Sequence, residues 1–134
     1  MNKNQIIAGL DGFTRQFLAT ALWSETDNKT PQGGDPLENN YSLTDFALDT
    51  LKRLIADCKR FQKGNAADLE AGCQANARCN EGQAGHDFWL TRDHHGAGFW
   101  DGDWPKDIGE RLTAASDKFG EVHLYVHRGL VRAD

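Results

Sequence analysis

Hydrophobic positions recur at intervals of three and four from the start of the chain. Ile6, Leu10, Phe13, Phe17 and Ala21 follow this spacing, with Leu18 and Leu22 widening the stripe, and predict a helix from about Gln5 to Trp23. Gly9 and Gly12 weaken it locally. From Ser24 to Asn40 the period lapses among Pro31, Gly33, Gly34, Asp35 and Pro36, which reads as a long loop near 24–41. A second helix follows, with Leu43, Ala47, Leu51, Leu54, Cys58 and Phe61 as its apolar seam. Ser42 is its N-cap with Asp45 three residues on, and Gly64-Asn65 is its stop. Ala66 to Ala71 adds a turn or two of helix, and the small, polar stretch 72–85 reads as another exposed loop.

Further on, Ile108, Leu112, Ala115 and Phe119 mark the core face of a third main helix. Asp103-Trp104-Pro105 opens it and Gly120 closes it. Val122, Leu124 and Val126 then alternate with His123, Tyr125 and His127 as a strand, and Arg128-Gly129 turns into a last short strand at Leu130-Val131.

Between the second and third helices lies the densest stretch, Gly85 to Asp101. Phe88-Trp89-Leu90-Thr91 reads as strand and the glycine-bearing middle as a turn, which predicts a β-hairpin. With Asp93-His94 as its turn, Arg92 faces His95, Leu90 faces Ala97, Phe88 faces Phe99 and His86 faces Asp101. Phe88, Leu90, Ala97 and Phe99 then point to the core, while Asp87, Trp89, Thr91, Gly96, Gly98 and Trp100 share the other face. Glycine inside a strand marks close approach by a neighbouring side chain, a helix or a ligand. The expected fold is α+β: a small antiparallel sheet, made of this hairpin and the C-terminal strands, covered by about three helices in one domain over 1–134. Its open face would expose Trp89, Trp100 and Tyr125.

Charge and composition narrow the function. The formal net charge of −5 argues against nonspecific binding of nucleic acid or of an anionic membrane surface. No apolar run approaches the length of a membrane span, and Met1-Asn2-Lys3-Asn4 does not open a signal peptide, so the expectation is a cytoplasmic protein. Of the three cysteines, Cys58 lies on an apolar helix face, and Cys73 and Cys79 are spaced unlike a zinc pair even with His86 nearby. No metal or other cofactor is expected, and a reducing cytoplasm disfavours a Cys73–Cys79 disulfide.

Nucleophile elbow, phosphate-loop and zinc-helix signatures are missing from the sequence, and Gly96-Ala97-Gly98 resembles a phosphate loop only in composition. The dense titratable group is His86, Asp87, Asp93, His94, His95, Asp101 and Asp103. A His–Asp pair across the hairpin orients an imidazole for general-base work, and Arg92 holds an anion. The catalytic candidates are therefore His86, Asp101, Arg92 and His95. The plainer reading is that His86–Asp101 closes the hairpin end and His94 decorates the turn. Candidates for ligand or partner binding are Trp89, Arg92, His95, Gly96, Gly98, Trp100 and Tyr125.

The run His86-Asp87-Phe88-Trp89-Leu90-Thr91-Arg92, followed by His95-Gly96-Ala97-Gly98-Phe99-Trp100-Asp101, resembles a family of small uncharacterised proteins encoded by tailed bacteriophages and other bacterial mobile elements. The resemblance extends more loosely to Leu22-Trp23-Ser24, to Tyr41 through Phe61, and to the ending around Leu124-Tyr125-Val126. That family usually has Asn-Gly where this chain has Asp93-His94, and often an arginine where Gly102 stands. The resemblance implies a phage- or mobile-element-encoded protein and carries no established activity with it. The resulting expectation is a non-enzymatic binding protein that engages a host protein or a small anionic ligand to counter host defence. The alternative is a small hydrolase acting on a phosphorylated or nucleotide substrate.

Overall fold

The computed structural model describes residues 1–27, 30 and 33–134. Among the described residues it contains six α-helices and two separate two-stranded antiparallel sheets, an α+β architecture. The first predicted helix is two. α1 (Lys3–Ala8) ends at Gly9, and Asp11 starts α2 (Gly12–Ser24) by accepting a hydrogen bond from the Thr14 N–H at 2.8 Å. The loop expected near 24–41 contains β1 (Thr26–Asp27) paired with β2 (Asp35–Pro36), then a 3₁₀ turn over Leu37–Asn39 whose Leu37 is buried. Pro31 lies outside the described residues.

Ser42 and Asp45 cap a short 3₁₀ turn, with the Ser42 N–H donating to Asp45 Oδ2 at 2.8 Å. α3 (Leu48–Gly64) begins six residues after Ser42 and buries Leu51, Leu54, Cys58 and Phe61 as expected. α4 (Ala66–Ala75) and α5 (Glu81–Arg92) occupy most of the stretch read as a second loop, leaving only 76–80 between them. α6 (Lys106–Asp117) starts just after Pro105. β3 (Leu124–His127) and β4 (Leu130–Ala133) pair around Arg128-Gly129, with Val126 opposite Val131. Val122, Leu124 and Val126 are buried and Tyr125 is exposed, in line with the alternation in the sequence.

The hairpin expected at 85–101 is not formed. Its first half is α5, capped by the Asn80 side chain accepting from the Gln83 N–H at 2.9 Å, and its second half is a turn-rich segment without strand. Strand-like residues take helical form here because tertiary burial overrides weak local preference. Phe88, Trp89, Leu90, Thr91 and Arg92 are all buried in succession, so the second half of α5 has no polar face to reveal its period.

The core is assembled on α5. It lies parallel to α2: a Cβ at Gly85 would come within 2.0 Å of the Phe13 carbonyl oxygen, so the two backbones nearly touch at one end. Further along, the Phe17 ring sits 5.1 Å from Phe88 and 5.3 Å from Trp89, and Trp89 Nε1 donates to Ser24 Oγ at 2.7 Å. From α3, Phe61 stacks on Phe88 at 4.1 Å. Beyond them Phe99 meets both Phe61 and Trp104. No described helix is long and apolar enough to cross a membrane.

Candidate functional site

α5 ends in a Schellman motif. His94 adopts φ 56°, the His94 N–H donates to the Thr91 carbonyl at 3.2 Å, and the His95 N–H donates to the Leu90 carbonyl at 2.9 Å. This arrangement turns the chain back on itself and sends His95 toward the end of α2. The predicted catalytic set is scattered by the same geometry. Arg92 is 2% exposed, and its guanidinium lies 2.9 Å from Asp57 Oδ2. It also donates to the Gly120 and Phe119 carbonyls at 2.7 and 3.2 Å and sits against the Phe88 and Phe119 rings. It braces the core and is not an anion clamp. His86 Nδ1 lies 2.8 Å from Thr20 Oγ1 with the Trp23 ring beside it, and burial holds its pKa below the usual histidine value. Asp101 instead accepts from the Gly98 N–H at 3.3 Å, so the expected hydrogen-bonded His86–Asp101 hairpin end is absent.

The predicted binding face separates as well. Trp89 is fully buried, whereas Trp100 is 54% exposed. Gly98 is approached by Thr91, whose Oγ1 would lie 2.2 Å from an added Cβ and accepts from the Phe99 N–H at 3.1 Å. The close neighbour is thus a side chain of the chain itself. Gly96 has open space around it. Cys79 is buried and donates to the Asp103 carbonyl at 3.2 Å, with burial pushing its thiol up to about 11, and Cys73 is exposed.

Three groups do converge: Glu25, Asp93 and His95. His95 Nε2 lies 3.2 Å from Glu25 Oε2, Asp93 Oδ1 accepts from the Val122 N–H at 2.8 Å, and one ligating atom from each residue falls within 4.8 Å of the others. Burial is the main reason the Asp93 carboxyl is raised to about 6. The Val122 N–H opposes this, while the charge and hydrogen bond of Glu25 add to it. Glu25 is the C-cap residue of α2 and Asp93 that of α5, so two helix ends carrying partial negative charge meet at two carboxylates. That is the reverse of the stabilising arrangement.

Two adjoining clefts flank the trio and share Ser24. One is lined by Trp23, Ser24, Leu90, His95, Gly96 and Ala97. The other is lined by Ser24, Glu25, Thr26, Asp27, His123, Leu124, Tyr125 and Val126. Trp23 is 53% exposed and Tyr125 40% exposed. Of the expected binding residues, His95, Gly96 and Tyr125 therefore gather here. Trp89 stands behind them through Ser24, and Trp100 and Gly98 line neither cleft. Another groove, between α1 and α3 with Ile6, Leu10 and Ile55 in its lining, holds none of the expected residues.

Sequence reasoning missed Trp23 and Glu25 and took Asp93 for a turn residue. A large aromatic at the polar end of the first helix was the available signal for Trp23. Nothing local links Glu25 to Asp93. No family model, curated protein or solved structure matches the chain, which leaves this geometry as the ground for a functional reading.

Proposed function

We propose that the chain is a non-enzymatic binding protein of phage or mobile-element origin that engages a host protein through the Trp23–Tyr125 face, to the detriment of host defence. One observation carries this reading: two half-exposed aromatics line adjoining clefts that also contain Glu25 and His95. Aromatic side chains beside a desolvated polar group are the residue types that dominate binding hot spots. A small anionic ligand is disfavoured, because the arginine meant to receive it is committed to Asp57. The hydrolase reading loses its shared locus, since Arg92 is buried and His86 is held against Thr20. The phage origin is supported by the 86–101 sequence resemblance.

The test is capture from a bacterial host lysate by tagged wild type, Trp23→Ala, Tyr125→Ala and Trp100→Ala, each first shown to melt cooperatively. A protein held by wild type should be depleted roughly 30-fold by either of the first two changes, the scale of a 2 kcal/mol hot spot. It should be retained by Trp100→Ala. Equal retention by all three variants would remove the face from consideration.

A further inference from the structure

We infer that Glu25, Asp93 and His95 form a binding site for a divalent transition-metal cation, with Zn²⁺ as the reference ion. This goes beyond the proposed binding of a protein and does not depend on it.

The donor set is one imidazole nitrogen and two carboxylate oxygens. That combination suits a borderline cation such as Zn²⁺, whereas Mg²⁺ favours an all-oxygen shell rich in water. Zinc–ligand distances of about 2.0–2.2 Å place tetrahedral ligand atoms roughly 3.3–3.6 Å apart. His95 Nε2 and Glu25 Oε2 stand at 3.2 Å, and the Asp93 oxygen falls within the same 4.8 Å group. Bringing the Asp93 oxygen to the same spacing would complete three corners of a tetrahedron. The open corner suits a water or a partner's side chain, since His95 lines one adjoining cleft and Glu25 the other.

The backbone around the trio is held firmly. The Glu25 N–H donates to the Ala21 carbonyl at 3.0 Å, the His95 N–H to the Leu90 carbonyl at 2.9 Å, and the Val122 N–H to Asp93 Oδ1 at 2.8 Å. The last contact is of the kind that orients a metal-ligating carboxylate from outside. The field also points to a cation. Carboxylates cap the negative ends of two parallel helices. All three residues are half-buried, where repulsion between the Glu25 and Asp93 carboxylates is stronger than in water, with the buried Arg92 guanidinium as a nearby cation acting on Asp93. A divalent ion would relieve this charge repulsion and the helix-end mismatch together.

The experiment uses the full chain, stripped with chelator and freed of any affinity tag. Calorimetric titration with ZnCl₂ and elemental analysis after dialysis should give one zinc per chain, and Mg²⁺ should bind far more weakly. Affinity for Zn²⁺ should fall about tenfold or more in His95→Ala, Glu25→Gln and Asp93→Asn, by analogy with the loss seen on disturbing ligand support. Cys73→Ser should leave it unchanged, and so should Trp23→Ala, which separates this site from the protein-binding reading. Thermal melts of each variant confirm folding, and His95→Ala, whose side chain is partly exposed, serves if a carboxylate change unfolds the chain. Absence of stoichiometric uptake by wild type would overturn the inference, as would uptake that survives His95→Ala and Glu25→Gln.

Discussion

Asp87 lies inside α5, with Trp104 Nε1 donating to one oxygen at 2.7 Å and Gln83 Nε2 to the other at 3.0 Å. Burial outweighs both contacts and pushes its carboxyl up to about 6 from an ordinary 3.8. The unfolded chain therefore ionises first as pH rises, and between about pH 4 and 6 the folded state holds more protons. Stability from this group is greatest at the acid end and falls through that window, by on the order of 2–3 kcal/mol when fully developed, then stays level. Asp87→Asn should flatten the decline, read as the difference between variant and wild-type urea midpoints at pH 4, 5, 6 and 7. Arg92 poses the opposite problem, a permanent cation sunk in aromatic rings. Asp57→Ala should cost about 3–5 kcal/mol by leaving that charge without its carboxylate. Asp57→Leu combined with Arg92→Leu should cost less than Asp57→Leu alone in the same denaturation assay. A charge on a linear sequence reads as functional because nothing there records its depth. Arg92 is misread for that reason, whereas the alternation that puts Tyr125 on the wet side of its strand holds.

At the level of elements, the dipeptide 93–94 was recognised as a chain reversal but assigned to the wrong structure. A residue with positive φ serves a type I′ hairpin and a Schellman helix end alike, so the local signal does not separate them. The deciding information is what covers residues 81–92, and most of it comes from distant parts of the chain, α2 and α3 above all. Where an element keeps a wet side, the pattern sufficed: the alternation from Val122 to His127 and the Arg128-Gly129 turn, with φ 53° and 75°, were both legible. Two glycines in α5 give a contrast that tests its buried placement. Gly85→Ala improves helix preference by about 1 kcal/mol. Its Cβ nevertheless collides with the Phe13 carbonyl, and the net effect should be a loss of about 3 kcal/mol in chemical denaturation. Gly82→Ala meets neighbours only at 3.5 Å and beyond, and should be neutral or slightly stabilising.

Across the whole molecule, the α+β class was readable because most helices and the last strand pair announce themselves locally. The joining of α2 to α5 was not, and the Glu25–Asp93–His95 site depends on that joining. The same pairing has a consequence in time. Phe13 and Phe88 are separated by 75 positions. Synthesis at 5–20 residues per second takes roughly 4–15 s to cover that distance. Until α5 has left the ribosome, Phe17 lacks the Phe88 and Trp89 rings, and Phe13 has Phe61 of α3 but not Phe88. The growing chain therefore presents its most apolar helix to the cell for several seconds, and whatever holds that stripe meanwhile, a chaperone or a second nascent copy, competes with α5 for the place around which the fold is built.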